Sequence, residues 1–140
     1  MDAFLGLVSG SRGKIAIDVK LMMQTEIAEA YEPFAPGRGS SSSMPQKRNP
    51  ISCLYIHANI SVVRQLAASL MDAMAADHER STGPWEIEWV ALPEIFCLIS
   101  GARKQAKFIL AGLEVDARPM RRNIDITNGL VMSEAVMMGM

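Results

Sequence analysis

"ISCLYIHANISVVRQLAASLMDAMAAD", Ile51–Asp77, runs for 27 residues without a proline or a glycine. Ile56, Ile60, Val63, Ala67, Leu70 and Met74 follow one another at intervals of 4, 3, 4, 3 and 4. On a helix of 3.6 residues per turn, that spacing draws one continuous apolar stripe. The stretch is therefore predicted to be a single long helix, and it sets the frame for what lies on either side.

Downstream, Trp85 to Leu113 repeats the pattern. Trp89, Leu92, Phe96, Ile99, Ala106, Leu110 and Leu113 are predicted to form its buried seam, with Arg103 at the position that breaks it. Pro93 lies inside this run and predicts a kink. Upstream, Asp2 to Glu32 reads as a first helix, weakened early by Gly6, Gly10 and Gly13 and ended by Pro33. Beyond Gly112, one or two shorter helices are expected, with Asp116 as an N-cap and Asn128-Gly129 as an interruption. Helices this long exceed the usual mean of about 11–12 residues. No strand alternation is convincing, so the predicted class is all-α, a long-helix bundle.

Composition narrows the function. With 140 residues, 49% of them apolar, the chain has the size and character of one globular domain. A net charge of −1 offers no electrostatic case for nucleic acid or an anionic membrane surface. No apolar run reaches the roughly 18 residues of a membrane span. A cytoplasmic protein is expected. Cys53 and Cys97 fall in apolar helical patterns and are expected to be buried, reduced thiols. No metal-ligand spacing is visible. The chain enters an apolar segment almost at once and closes on "EAVMMGM" without a polar tail. An internal piece of a longer protein is expected, with seams that await partner helices and little activity on its own.

Between the first two helices lies "GRGSSSSMPQKRNP", Gly37–Pro50. It is polar and small in side chain where its surroundings are apolar. Gly/Ser-rich loops are often plain linkers, but the second half, with Lys47, Arg48 and Asn49, is not linker-like. Serine hydroxyls, backbone N–H groups, a lysine and an asparagine together are suited to gripping carboxylates.

"SSSSMPQKRN", Ser40 to Asn49, resembles the signature G-S-S-x-M-P-x-K-x-N of the fumarase/aspartase superfamily, and matches it at every position but the first. The resemblance implies a homotetrameric helical bundle with composite active sites, each built from three regions on three subunits, and no cofactor. It implies that Ser41 is the catalytic base. Ser42, Met44, Gln46, Lys47 and Asn49 would line the substrate site, Lys47 and Asn49 by binding a carboxylate. The chemistry implied is removal of a proton beside a carboxylate, which Lys47 and aligned N–H donors would stabilise as charge develops. Serine's ordinary pKa is far too high for a base, so such neighbours must ionise it. Residues 1–113 would belong to the central bundle and 114–140 would begin the C-terminal domain. Many members carry a glutamate five residues after the asparagine, paired with a histidine. Here that position is Leu54, which argues against fumarase and aspartase specificity.

"DHERSTGPWEIEWVALPE", Asp77 to Glu94, bears on the branch. Its bland reading is a helix–helix connection. Its functional reading brings His78 and Arg80 to the site, with Arg80 as a substrate-binding residue. His57, one residue off the apolar stripe, reads as a solvated or core histidine and not a catalyst, and the Arg118/Arg121/Arg122 group reads as a solvated helix face. Where adenylosuccinate lyases hold nucleotide with a serine and an arginine, this chain has Trp85 and Trp89. W-x-x-x-W followed by "ALPE" resembles the 3-carboxy-cis,cis-muconate cycloisomerase branch. That branch implies lactonisation of a tricarboxylate in aromatic breakdown. Two alternatives stand beside it: another lyase, such as an adenylosuccinate-lyase-like C–N lyase, or an inactive structural remnant.

Overall fold

The computed structural model describes residues 2–34, 43–44 and 47–139. Three long helices dominate: α1 (Asp2–Met22), α2 (Ile51–Asp72) and α3 (Pro84–Ala111). A two-residue strand, β1 (Ala30–Tyr31), precedes α2, and a second, β2 (Glu114–Val115), follows α3. Two short helices close the chain, α4 (Ala117–Asp125) and α5 (Ser133–Met138), with a turn of 3-10 helix at Leu130–Met132 between them. The class is all-α, as expected from the sequence; the strands form one minimal antiparallel ladder, Ala30 opposite Val115 and Tyr31 opposite Glu114.

α2 is the central helix and packs against both α1 and α3. Its stripe is buried as predicted at Ile56, Ile60, Val63, Ala67 and Leu70. One core cluster joins Ala16, Val19 and Met23 of the first segment to Cys53, Ile56 and Ile60, and to Ala102, Ala106 and Ile109. A second joins Val63 and Leu70 to Ala91 and Ile95. The first half of α2 thus meets the last turns of α1 and α3, so both neighbours run antiparallel to it. β1, β2 and the start of α2 gather at one end of the bundle; the α2–α3 connection lies at the other.

Four expectations are corrected. α1 ends at Met22, not Glu32. Ala28 adopts a positive φ of 54°, and the amides of Ala28 and Glu29 fold back on the carbonyls of Gln24 and Met22. The chain leaves the helix so that Ala30 and Tyr31 can pair with β2 and Glu32 can reach α2. α2 stops at Asp72, leaving Met74 exposed beyond it. In α3 the buried seam is Ala91, Ile95, Ala102, Ala106 and Ile109, while Trp89, Phe96 and Leu110 are exposed. Small residues on that face let α3 approach α2 closely, and the larger ones fall outside. Cys97 is exposed; only Cys53 is buried.

Local signals explain the remaining boundaries. Pro84 suits the first turn of α3, and Glu86 accepts the Gly83 amide at 2.6 Å, closing its start. Gly83 has φ 98°, a conformation other residues resist. The helix runs unbroken through Pro93. Asp116 caps α4 by accepting from the Arg118 amide at 3.0 Å, and Asn128-Gly129 interrupts the tail with two positive φ values. Both match the sequence reading.

Candidate active site

α2 begins at Pro50, which has no side chain able to cap a helix. The first amides of a helix need acceptors. Glu32 supplies them from 20 residues upstream: its carboxylate accepts from Ser52 N–H at 3.0 Å and from Cys53 N–H at 2.6 Å. Glu32 is buried, and its negative charge sits where the helix dipole is positive. Burial, followed by the neighbouring Glu32 carboxylate, pushes the Cys53 thiol far above its ordinary value. Cys53 is an inert core thiol.

Arg48 stands just ahead of this helix start. Its two terminal nitrogens bond the two carboxylate oxygens of Glu114 at 2.7 and 2.8 Å, and Nη2 also donates to the Glu32 carbonyl. Its guanidinium lies 5.0 Å from the Tyr31 ring centroid and 5.8 Å from that of Phe34. The pairing holds the Glu114 carboxyl below its ordinary value and raises Arg48. Gly112 lets β2 come close: a Cβ there would sit 3.0 Å from the Pro33 ring. On α4, Asn123 donates to the Ile27 carbonyl at 2.9 Å and to Glu29 at 2.8 Å, tying α4 to the turn after α1.

An open cleft of about 760 Å³ lies beside this assembly, lined by Met23, Thr25, Ala28, Tyr31, Met44, Lys47 and Arg48. Lys47 is exposed at its edge. Asn49 lies on the inner side, by Met23, Glu32 and Arg48. Of the residues assigned from the sequence, Met44, Lys47 and Asn49 are therefore together at this end. Ser41, Ser42 and Gln46 lie outside the described residues. Arg80 is not with them. It follows the far end of α2, whose 22 residues span roughly 33 Å at 1.5 Å per residue. There Arg80 faces the Trp85 ring at 5.8 Å, and Trp85 meets Trp89 edge to face with centroids 4.8 Å apart. His57 and His78 are exposed. No cluster of metal-ligating side chains occurs among the described residues.

Sequence reasoning missed Glu32, Arg48 and Glu114. Arg48 was in view between Lys47 and Asn49. Glu114 carries no local signal, because its partner is 66 residues away.

A family model described as lyase matches residues 2–64. Over 132 residues, 94% of this chain, it is 54% identical to 3-carboxy-cis,cis-muconate cycloisomerase of Pseudomonas putida. The solved 3-carboxy-cis,cis-muconate lactonizing enzyme of that organism superposes with a TM-score of 0.83 at 48% identity, over 96% of this chain and 29% of the other. Over nearly its whole length the chain is thus similar to lyases and cycloisomerases of this kind. Among its relatives, trans-aconitate decarboxylase 1 of Mycosarcoma maydis is 58% identical over 140 residues, the whole of this chain. The chain spans 31% and 28% of the length of the two curated relatives named here. No described helix is long and apolar enough to cross a membrane.

Proposed function

We propose that the protein carrying this chain interconverts 3-carboxy-cis,cis-muconate and a carboxymuconolactone, in the cytoplasm, as a step in aromatic breakdown. The observation that carries the reading is Lys47 at the edge of an open cleft, next in the chain to the Arg48–Glu114 pair. Relatives that bear the cycloisomerase name support it.

In the lactone-opening direction, Ser41 takes the proton from the carbon beside a carboxylate. The C–O bond of the lactone then breaks, and its oxygen leaves as the freed carboxylate. In the closing direction that carboxylate adds across the double bond and the proton returns. Lys47 and Asn49 hold the carboxylate on which charge develops, with Ser42, Met44 and Gln46 lining the same stretch. Arg80, at the opposite end of α2, serves a site completed by another copy of the protein in a homotetramer. Residues 1–113 are part of the central bundle, and 114–140 begin the C-terminal domain. The adenylosuccinate-lyase-like alternative is not favoured, since Trp85 and Trp89 present packed rings where a nucleotide phosphate would need donors.

A second reading rests on the 58% identity to trans-aconitate decarboxylase 1. trans-Aconitate is, like 3-carboxymuconate, an unsaturated tricarboxylate, and the same carboxylate grip would serve decarboxylation. The native protein should be offered both acids and adenylosuccinate, with ultraviolet absorbance and CO₂ release followed together. Loss of the muconate absorbance without CO₂, lowered at least about 100-fold in Ser41→Ala, is the expected outcome. CO₂ release from trans-aconitate alone moves the assignment to the second reading. Inertness toward both acids sinks the two together.

A further inference from the structure

One carboxylate bonds residues on both sides of the serine run. Oε1 of Glu114 accepts from the Phe34 amide at 3.4 Å and from Arg48 Nη2 at 2.8 Å, and Oε2 accepts from Arg48 Nη1 at 2.7 Å. Phe34 lies before the serine run and Arg48 lies after it. The other described partners of Arg48 are the Glu32 carbonyl and the rings of Tyr31 and Phe34, all on the segment leading into the stretch. Both terminal nitrogens are engaged and two rings lie within reach of the guanidinium. Lys47 and Asn49 are its peptide-bonded neighbours. Bidentate pairing of this kind fixes direction as well as distance.

We propose that Glu114, outside the signature, is a positioning residue for the reaction proposed above. Its carboxylate sets Arg48 and, through the backbone, sets Lys47 at the edge of the cleft and Asn49 on its inner side. The inference rests on that reading for its kinetic consequence and on geometry alone for its conformational one. The pair is 28% and 49% exposed, and exposed ion pairs are worth little to stability. Its loss should therefore be read in the site before it is read in the melt.

The test uses the native protein with Glu114→Gln, which keeps shape and removes charge, and Glu114→Asp, which keeps charge and shortens the reach. With 3-carboxymuconate, E114Q should lower kcat/KM about tenfold, raising KM and lowering kcat, because Lys47 and Asn49 hold the carboxylate both in the bound acid and as charge develops on it. E114D should recover part of the loss, and both should melt within about 2 °C of wild type. Amide hydrogen exchange across residues 43–50 should accelerate in E114Q while the interior of α2 is unchanged. If E114Q fails to fold, Arg48→Lys, which keeps the charge without the two-pronged geometry, takes its place in both measurements. Unchanged kcat/KM, or unchanged exchange across 43–50, overturns the proposal. If wild type does not act on 3-carboxymuconate, the function reading fails separately, and the exchange measurement alone decides this one.

Discussion

The Glu32 carboxylate accepts the Cys53 amide at 2.6 Å, so the central helix is capped by a residue that precedes the signature stretch. Ser52 N–H meets the other oxygen at 3.0 Å. Glu32→Ala leaves two buried amides without an acceptor. A loss of about 2 kcal/mol is expected, as for removal of a charged hydrogen-bond partner. Glu32→Gln, which keeps an acceptor oxygen, should cost less. Denaturant unfolding checks this; an alanine variant within about 0.5 kcal/mol of wild type would refute the cap.

Gly112 and Pro33 meet where β2 passes β1. A methyl group at 112 would lie 3.0 Å from two carbons of a stiff ring. Gly112→Ala is expected to destabilise by about 1–3 kcal/mol, the usual cost of overpacking. It should also shift the Phe34 and Glu114 amide resonances. An alanine variant as stable as wild type would show that the two segments part freely.

The Arg48–Glu114 pair gives a pH dependence of known sign. The folded-state value of Glu114 is lowered by the hydrogen bond from Arg48. Its contribution is therefore present above the ordinary carboxylate value and is lost as pH falls through the lowered one. The melting difference between wild type and E114Q should be small at neutral pH, shrink further toward pH 3, and shrink also in high salt. A difference that grows on acidification would contradict the pairing.

Ile95 and Phe96 are neighbours with opposite fates. Ile95 is 0% exposed and Phe96 is 52% exposed. Ile95→Ala should cost about 2–5 kcal/mol through the cavity it leaves, and Phe96→Ala under about 1 kcal/mol in the isolated chain. The reverse order would restore the seam expected from the sequence.

Cys53 and Cys97 differ in the same way. A thiol reagent should modify Cys97 of the folded chain readily, and Cys53 only after unfolding. Rapid modification persisting in Cys97→Ser would disprove the burial of Cys53.

What was legible in the sequence was legible because it is local. The spacing from Ile56 to Leu70 follows from helical period alone, and the Asp116 cap and the Asn128-Gly129 break each lie within a few residues of what they act on. The signature from Ser40 to Asn49 named the superfamily for the same reason: its information is contiguous. Period, however, does not give phase. α3 is apolar on two sides, and only contact with α2 decided that Ala91, Ile95 and Ala102 go in while Trp89 and Phe96 stay out. The end of α1 was likewise a tertiary decision, because the bonds that replace its last turns are made to β2 and to the start of α2. Glu114 reaches Arg48 across 66 residues, and a charge pair at that separation has no periodicity to betray it. Arg80 shows the converse. Sequence likeness grouped it with Lys47 and Asn49, and the rigid length of α2 sets it apart from them within the chain.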